Sequence, residues 1–320
     1  MPDALLLLAL VGLPFAGAVA AGLLPTGARN AAAGLAGAVA LACLALVWAA
    51  YPTVSDGGVL RAEFAWMPAQ GLNLTLRMDG FAWLFAGLVT GIGALVVLYA
   101  RYYMSSDDPV PRFFAFLLAF MGAMTGMVVS GNLMQLVIFW ELTSLFSFLL
   151  IGYWHHLAAA REGARMALTV TGTGGLALFA GVLLLGHIVG SYDLDAVLAA
   201  GDRIRGHPLY LPALILVLLG ALTKSAQVPF HFWLPHAMAA PTPANRASPP
   251  VAVMIRAMRA PSRAAAVWCQ YPISRKEKRL VSSQKKASWT RLPEITKPVI
   301  APMKASRKAK KRGTGSSNDM

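Results

Sequence analysis

Seven stretches of roughly 20 apolar residues, each long enough to cross the hydrocarbon core of a bilayer, leave this chain few ways to fold. They cover residues 4 to 24, 30 to 51, 80 to 100, 113 to 129, 132 to 154, 166 to 190 and 209 to 224, the last with a broken continuation to about 239. Hydrophobic residues make up 57% of the 320 and charged ones 13%, a balance that belongs to polytopic membrane proteins. The expected fold class is an all-α polytopic membrane protein of about seven transmembrane helices, the seventh broken, followed by a disordered basic tail. Residues 4 to 24 are read as a first span rather than a cleaved signal peptide, because Asp3 is the only charge before Arg29 and no basic region precedes the apolar run. Seven spans put the termini on opposite sides. Short connections carry Arg29, Arg101, Arg112, Arg161 and Arg165, whereas the long loops at 52 to 79 and 191 to 208 mix arginines with acids. By density of basic residues the short connections face the cytoplasm and the N-terminus lies outside.

Two charges interrupt this apolar pattern. Glu141 lies in the middle of NLMQLVIFWELTSLFSFLLIGYW, residues 132 to 154. An ionisable side chain at the bilayer centre costs roughly 2.5–3.5 kcal/mol on insertion scales and marks a functional position by default. Lys224, in LILVLLGALTKSAQVPF, is the only lysine before residue 276. Pro229 follows it by five residues and Pro235, Pro241 and Pro243 come after, so Lys224 is expected just before a helix break. Broken helices are tolerated at membrane depth where they are buried in protein or line a wet cavity. A carboxylate and an ammonium on neighbouring spans point to a path for protons or cations.

Other features carry less chemistry. Gly172, Gly174 and Gly175 fall inside one apolar helix, where small residues admit close helix packing, and not between a strand and a helix as a dinucleotide fingerprint requires. Cys43 and Cys269 make no disulfide framework or metal-ligand spacing. His155 and His156 are adjacent and His231 and His236 five apart, which is no ligand geometry, so no metal and no other cofactor is expected. The net charge of +14 comes from one end. Residues 1 to 243 hold 10 Lys+Arg and 11 Asp+Glu, a net −1, while residues 244 to 320 hold 18 and 3, a net +15. With no aromatic interleaving, the tail is read as a charged, disordered segment with no specific nucleic-acid partner.

Two blocks, FWELTSLFSFLLIGYW around Glu141 and LTKSAQVPFHFWLPHAMAAPTP around Lys224, resemble the antiporter-like membrane subunits shared by Mrp-type cation/proton antiporters and the proton-pumping arm of respiratory complex I. Within that family, ELTS and KSAQ with PFHFWLP look like the A subunit of the Mrp antiporter. The resemblance covers residues 1 to 243 and stops there. It implies helices one to three over residues 1 to 112, an incomplete first antiporter repeat over 113 to 243, and an aberrant tail over 244 to 320.

It also implies that Glu141 and Lys224 form a buried pair that passes protons, with His231 as the polar residue past the break. The implied protein is a multi-pass subunit of the bacterial inner membrane, a secondary transporter rather than an enzyme. It would exchange Na+ or K+ for protons within a hetero-oligomer of other antiporter subunits. The alternative is a proton-translocating subunit of an NADH-quinone oxidoreductase-type complex. Because the family continues with a histidine-bearing helix and a second repeat, this chain is expected to be truncated and inactive alone.

Overall fold

The computed structural model describes residues 3 to 67, 72 to 105 and 108 to 237. The tail expected over 244 to 320, and the last residues assigned to the first repeat, lie outside the described residues. Every apolar stretch becomes a helix, as a chain in lipid must satisfy its backbone internally. In chain order these are α1 (Asp3–Gly22), α2 (Arg29–Ala49), a short α3 (Tyr51–Ser55), α4 (Gly80–Tyr103), α5 (Val110–Val128), α6 (Leu133–Ile151), α7 (Ala158–Val189), the short α8 (Leu194–Ala199) and α9 (Gly201–Arg205), α10 (Tyr210–Lys224), and α11 (Trp233–His236), which follows a 3-10 turn at Phe230–Phe232. Six of them are long and apolar enough to cross a membrane. The fold is an all-α polytopic membrane fold.

Helix α5 is the hub, with 78% of its apolar window buried. Phe113 and Phe114 are fully enclosed there and join Leu7 and Leu10 of α1 with Val47 of α2 and Val96 of α4 in one core. A smaller cluster, Val137 with Leu178 and Val182, holds α6 to α7. A third, of Ile151, Ala164, Ala167, Ala226 and Trp233, anchors the segment after the break.

The segment 52 to 79, read from sequence as a loop, contains a β-hairpin. Strand β1 (Leu60–Met67) pairs antiparallel with β2 (Leu72–Met78), and Leu60, Ala62 and Phe64 stand opposite Met78, Leu76 and Leu74 on one face. Alternation of apolar and polar residues is the signal that was present in LRAEF and LTLRM. Leu76 bridges Ser130, Gly131 donates its N–H to the Thr75 carbonyl at 2.8 Å, and Leu194 donates to the Gly131 carbonyl at 2.9 Å. The hairpin, the α5–α6 turn and the start of α8 therefore lie side by side on one face. A Cβ on Gly131 would stand 2.8 Å from Thr75 Cγ2, so only glycine permits this approach.

Two other expectations are amended. Helix α7 spans 32 residues, about 48 Å, because its charged first turns, Ala158 to Arg165, continue the helix beyond the apolar stretch that begins at 166. The loop at 191 to 208 is mostly the short helices α8 and α9.

Candidate functional site

Helix α10 has only 15 residues, about 22 Å, so Lys224 at its end stops short of the far side of a hydrocarbon core about 30 Å thick. The break expected before Pro229 begins at Lys224 itself. Ala226 adopts a left-handed backbone, φ 49°, and Gln227 donates back to the Leu222 carbonyl at 3.0 Å. The carbonyl of Thr223, freed by the break, accepts the indole N–H of the buried Trp233 at 3.0 Å. The bond gives that carbonyl a partner, as a backbone acceptor at membrane depth requires.

The ammonium of Lys224 is held by α6. Its Nζ donates to Ser144 Oγ at 2.6 Å and to the Trp140 carbonyl at 3.3 Å, and it sits 5.3 Å from the centre of the Trp140 ring. Trp140, Glu141 and Ser144 are the eighth, ninth and twelfth of the nineteen residues of α6, so the lysine reaches the middle of that span. Asn132 starts α6 by accepting the N–H groups of Met134 and Gln135 on its side chain, which sets the register that brings Ser144 to this depth.

Glu141 and Lys224 do not meet in an ion pair in this structure. The carboxylate turns toward α7, where its Oε1 is buried without a hydrogen-bond partner among the described residues. A Cβ on Gly175 would collide with Oε1, and one on Gly174 with the Thr223 hydroxyl. These two glycines thus serve close packing of α6, α7 and α10, while Gly172 faces open space. Glu141 lines a cavity of about 580 Å³ between the outer sides of α6 and α7. Lys224 lines a different one, of about 420 Å³, bounded by α4, α5, α6 and α10. His231, in the 3-10 turn, is exposed and lines neither. The sequence reading missed Ser144 and Trp140 as partners of the lysine. The available signal was their spacing, since residues four apart on a helix present one face.

On the hairpin face, a chain of charges ties three elements together. Arg61 and Arg77 are cross-strand neighbours, a repulsive placement, and both bond one carboxylate, that of Asp195, at 2.6 and 2.8 Å. Arg61 also reaches Asp193 at 2.6 Å, and Arg77 reaches Asp79 at 2.6 Å. Asp79 in turn caps α4 through the Ala82 N–H. Burial opposes charge on Asp79, but the Ala82 N–H and Arg77 outweigh it and hold the carboxyl below its ordinary range.

Residues 130–259 match the family model described as NADH:quinone oxidoreductase/Mrp antiporter, TM, and residues 66–114 match that of NADH-Ubiquinone oxidoreductase (complex I), chain 5 N-terminus. Over these residues the chain is similar to this family. The first match runs past Pro243, where the sequence reading had ended the resemblance. Over 232 residues the chain is 66% identical to a probable K(+)/H(+) antiporter A/B subunit of Rhizobium meliloti, covering 72% of this chain and 23% of the relative. It is 48% identical over 192 residues to the A subunit of the Na(+)/H(+) antiporter of Alkalihalophilus pseudofirmus, covering 60% and 24%. A chain in the structure of the Mrp complex from Dietzia sp. DQ12-45-1b superposes with a TM-score of 0.65 at 29% identity, over 80% of this chain and 26% of that one. The archaeal membrane-bound sulfane sulfur reductase shares the fold, with a TM-score of 0.64 at 22% identity, over 81% and 51%. The chain spans about a quarter of the length of the curated relatives it matches.

Proposed function

We propose that this chain is part of a membrane subunit of a multi-subunit monovalent cation/proton antiporter, in a bacterial plasma membrane, and that Lys224 and Glu141 carry its protons. The observation that carries the reading is a lysine ammonium held at mid-depth by Ser144 and Trp140, on the same turn of α6 as a carboxylate with an unpaired buried oxygen. A lysine on a long flexible stem, seated at a helix break, exchanges partners with small backbone movement, so it can release its proton in one position and regain it in another. Coupling to Na+ or K+, assembly with sister subunits and any role of His231 follow from the antiporter names of the relatives, and belong to the same proposal. Those names favour an antiporter over a component of a redox-driven complex.

The test is a chimaera in which residues 3 to 237 replace the matching part of the Rhizobium relative, expressed with its sister subunits in a salt-sensitive, antiporter-deficient strain. Growth is expected, and Glu141→Gln or Lys224→Ala abolishes it. Undiminished growth of either variant would overturn the role given to that residue.

A further inference from the structure

The 420 Å³ cavity touching Lys224 runs toward the hairpin face, where Arg77, Asp79 and Leu194 line it. Its polar groups gather at the ends. Arg77, Asp79 and Ser130 lie at one, Lys224 and Ser225 at the other, and Phe85, Val89 and Met124 are among the apolar walls between. The volume is many times the roughly 30 Å³ of one water, and the polar groups at its ends supply the hydrogen-bond partners that water there needs.

We propose that this cavity is an aqueous access route from the hairpin face to Lys224, and that Arg77 is its gate. The inference rests on the reading of Lys224 as a proton carrier, and it names the side from which that group is reached. Three observations support it. An ammonium at mid-depth is expensive to desolvate, and a water column against it lowers that cost. Arg77 and Asp79 line the cavity at the hairpin end, and on the face beside it Arg61 and Arg77 meet Glu63, Asp79, Asp193 and Asp195, two positive charges against four negative, an excess of carboxylate that favours the approach of cations and protons.

The third is the position of Arg77. Its side chain, 13% exposed, spans the mouth, bonding Asp79 at the start of α4 and Asp195 at the start of α8. While both bonds hold, the guanidinium fills the entrance and clamps its two sides. Release of Asp195 moves Arg77 aside and leaves carboxylates lining an open path.

Thiol accessibility in the full chain tests this, with Cys43 and Cys269 replaced by alanine. Cysteine is placed at Ser225, or at Ala221 as a second wall position in case the first disturbs the fold. A membrane-impermeant cationic methanethiosulfonate is then applied to vesicles of either orientation. Labelling is expected only where the hairpin face is exposed to the reagent, at a slow rate that rises at least tenfold in Arg77→Ala and in Asp195→Asn. Labelling from the opposite face, no labelling at either cysteine, or equal rates with and without Arg77 would overturn the proposal. The readout needs no transport, so a chimaera that still grows with Lys224→Ala would remove the carrier reading without touching the route.

Discussion

Gly220 of α10 tests the packing that sets the position of Lys224. A Cβ there would stand 2.7 Å from Leu178 Cβ, 2.9 Å from the Gly174 carbonyl oxygen and 3.3 Å from Leu178 Cα. None of these atoms can rotate away, so Gly220→Ala must push α7 and α10 apart. Bringing a 2.7 Å contact to a normal 3.5–4.0 Å separation takes a shift of about 1 Å. Overpacking of this kind costs roughly 1–3 kcal/mol, and exchanging glycine for alanine in a helix returns about 1 kcal/mol. The net expectation is a loss of about 1 kcal/mol, which lowers the melting temperature of a domain this size by roughly 2–4 °C. Gly172→Ala, with nothing within 4 Å of the new Cβ, keeps only the gain and raises it by a similar amount. The assay is tryptophan fluorescence of detergent-solubilised protein during heating at one scan rate. Equal upward shifts for the two variants would refute the close contact of α7 and α10, and with it the placement of Lys224 one turn beyond Gly220.

Removal of the Ser144 hydroxyl takes away the shortest hydrogen bond of Lys224. A bond to a charged group is worth about 1.5–3 kcal/mol, so transport by the Ser144→Ala chimaera is expected to fall roughly 10- to 150-fold, while Ser144→Thr retains most of it; equal loss in both variants would mean that bulk and not the hydroxyl matters. The carboxyl of Asp79 is held below its ordinary range by the Ala82 N–H and Arg77, so its contribution is complete above the unfolded value of about 3.9 and is lost as pH falls through the lower folded value. Asp79→Ala should therefore lower the melting temperature of the detergent-solubilised protein at neutral pH and change it much less in acid below that folded value; an equal loss at both would contradict the assignment.

Much of this protein is legible in its sequence because lipid imposes a simple rule. A run of about 20 apolar residues must satisfy its own backbone, and helix formation does so locally, so the spans could be read without knowing what packs on what. The same rule made Glu141 and Lys224 conspicuous, since charge is costly in hydrocarbon and needs a reason to be there. The hairpin was harder to see. Its strands, of eight and seven residues, pair with each other, and the further contact that seats them, Leu76 against Ser130, lies some 50 residues along the chain.

What each charge touches was beyond the sequence. Partners depend on how α6, α7 and α10 rotate against one another, and that is decided by contacts such as Gly175 against Glu141 and Gly220 against Leu178. Sequence alone therefore located the apolar helices, though it counted seven spans where six of the described helices are long enough to cross, and it located the two ionisable groups within them and the break after Lys224. Only the tertiary structure decided that the ammonium rests on Ser144 and Trp140, that the carboxylate faces a different cavity, and that Arg77 and Lys224 line the same one. The physical reason is that burial of a charge is a property of a segment, whereas its hydrogen bonds belong to neighbours brought together by packing.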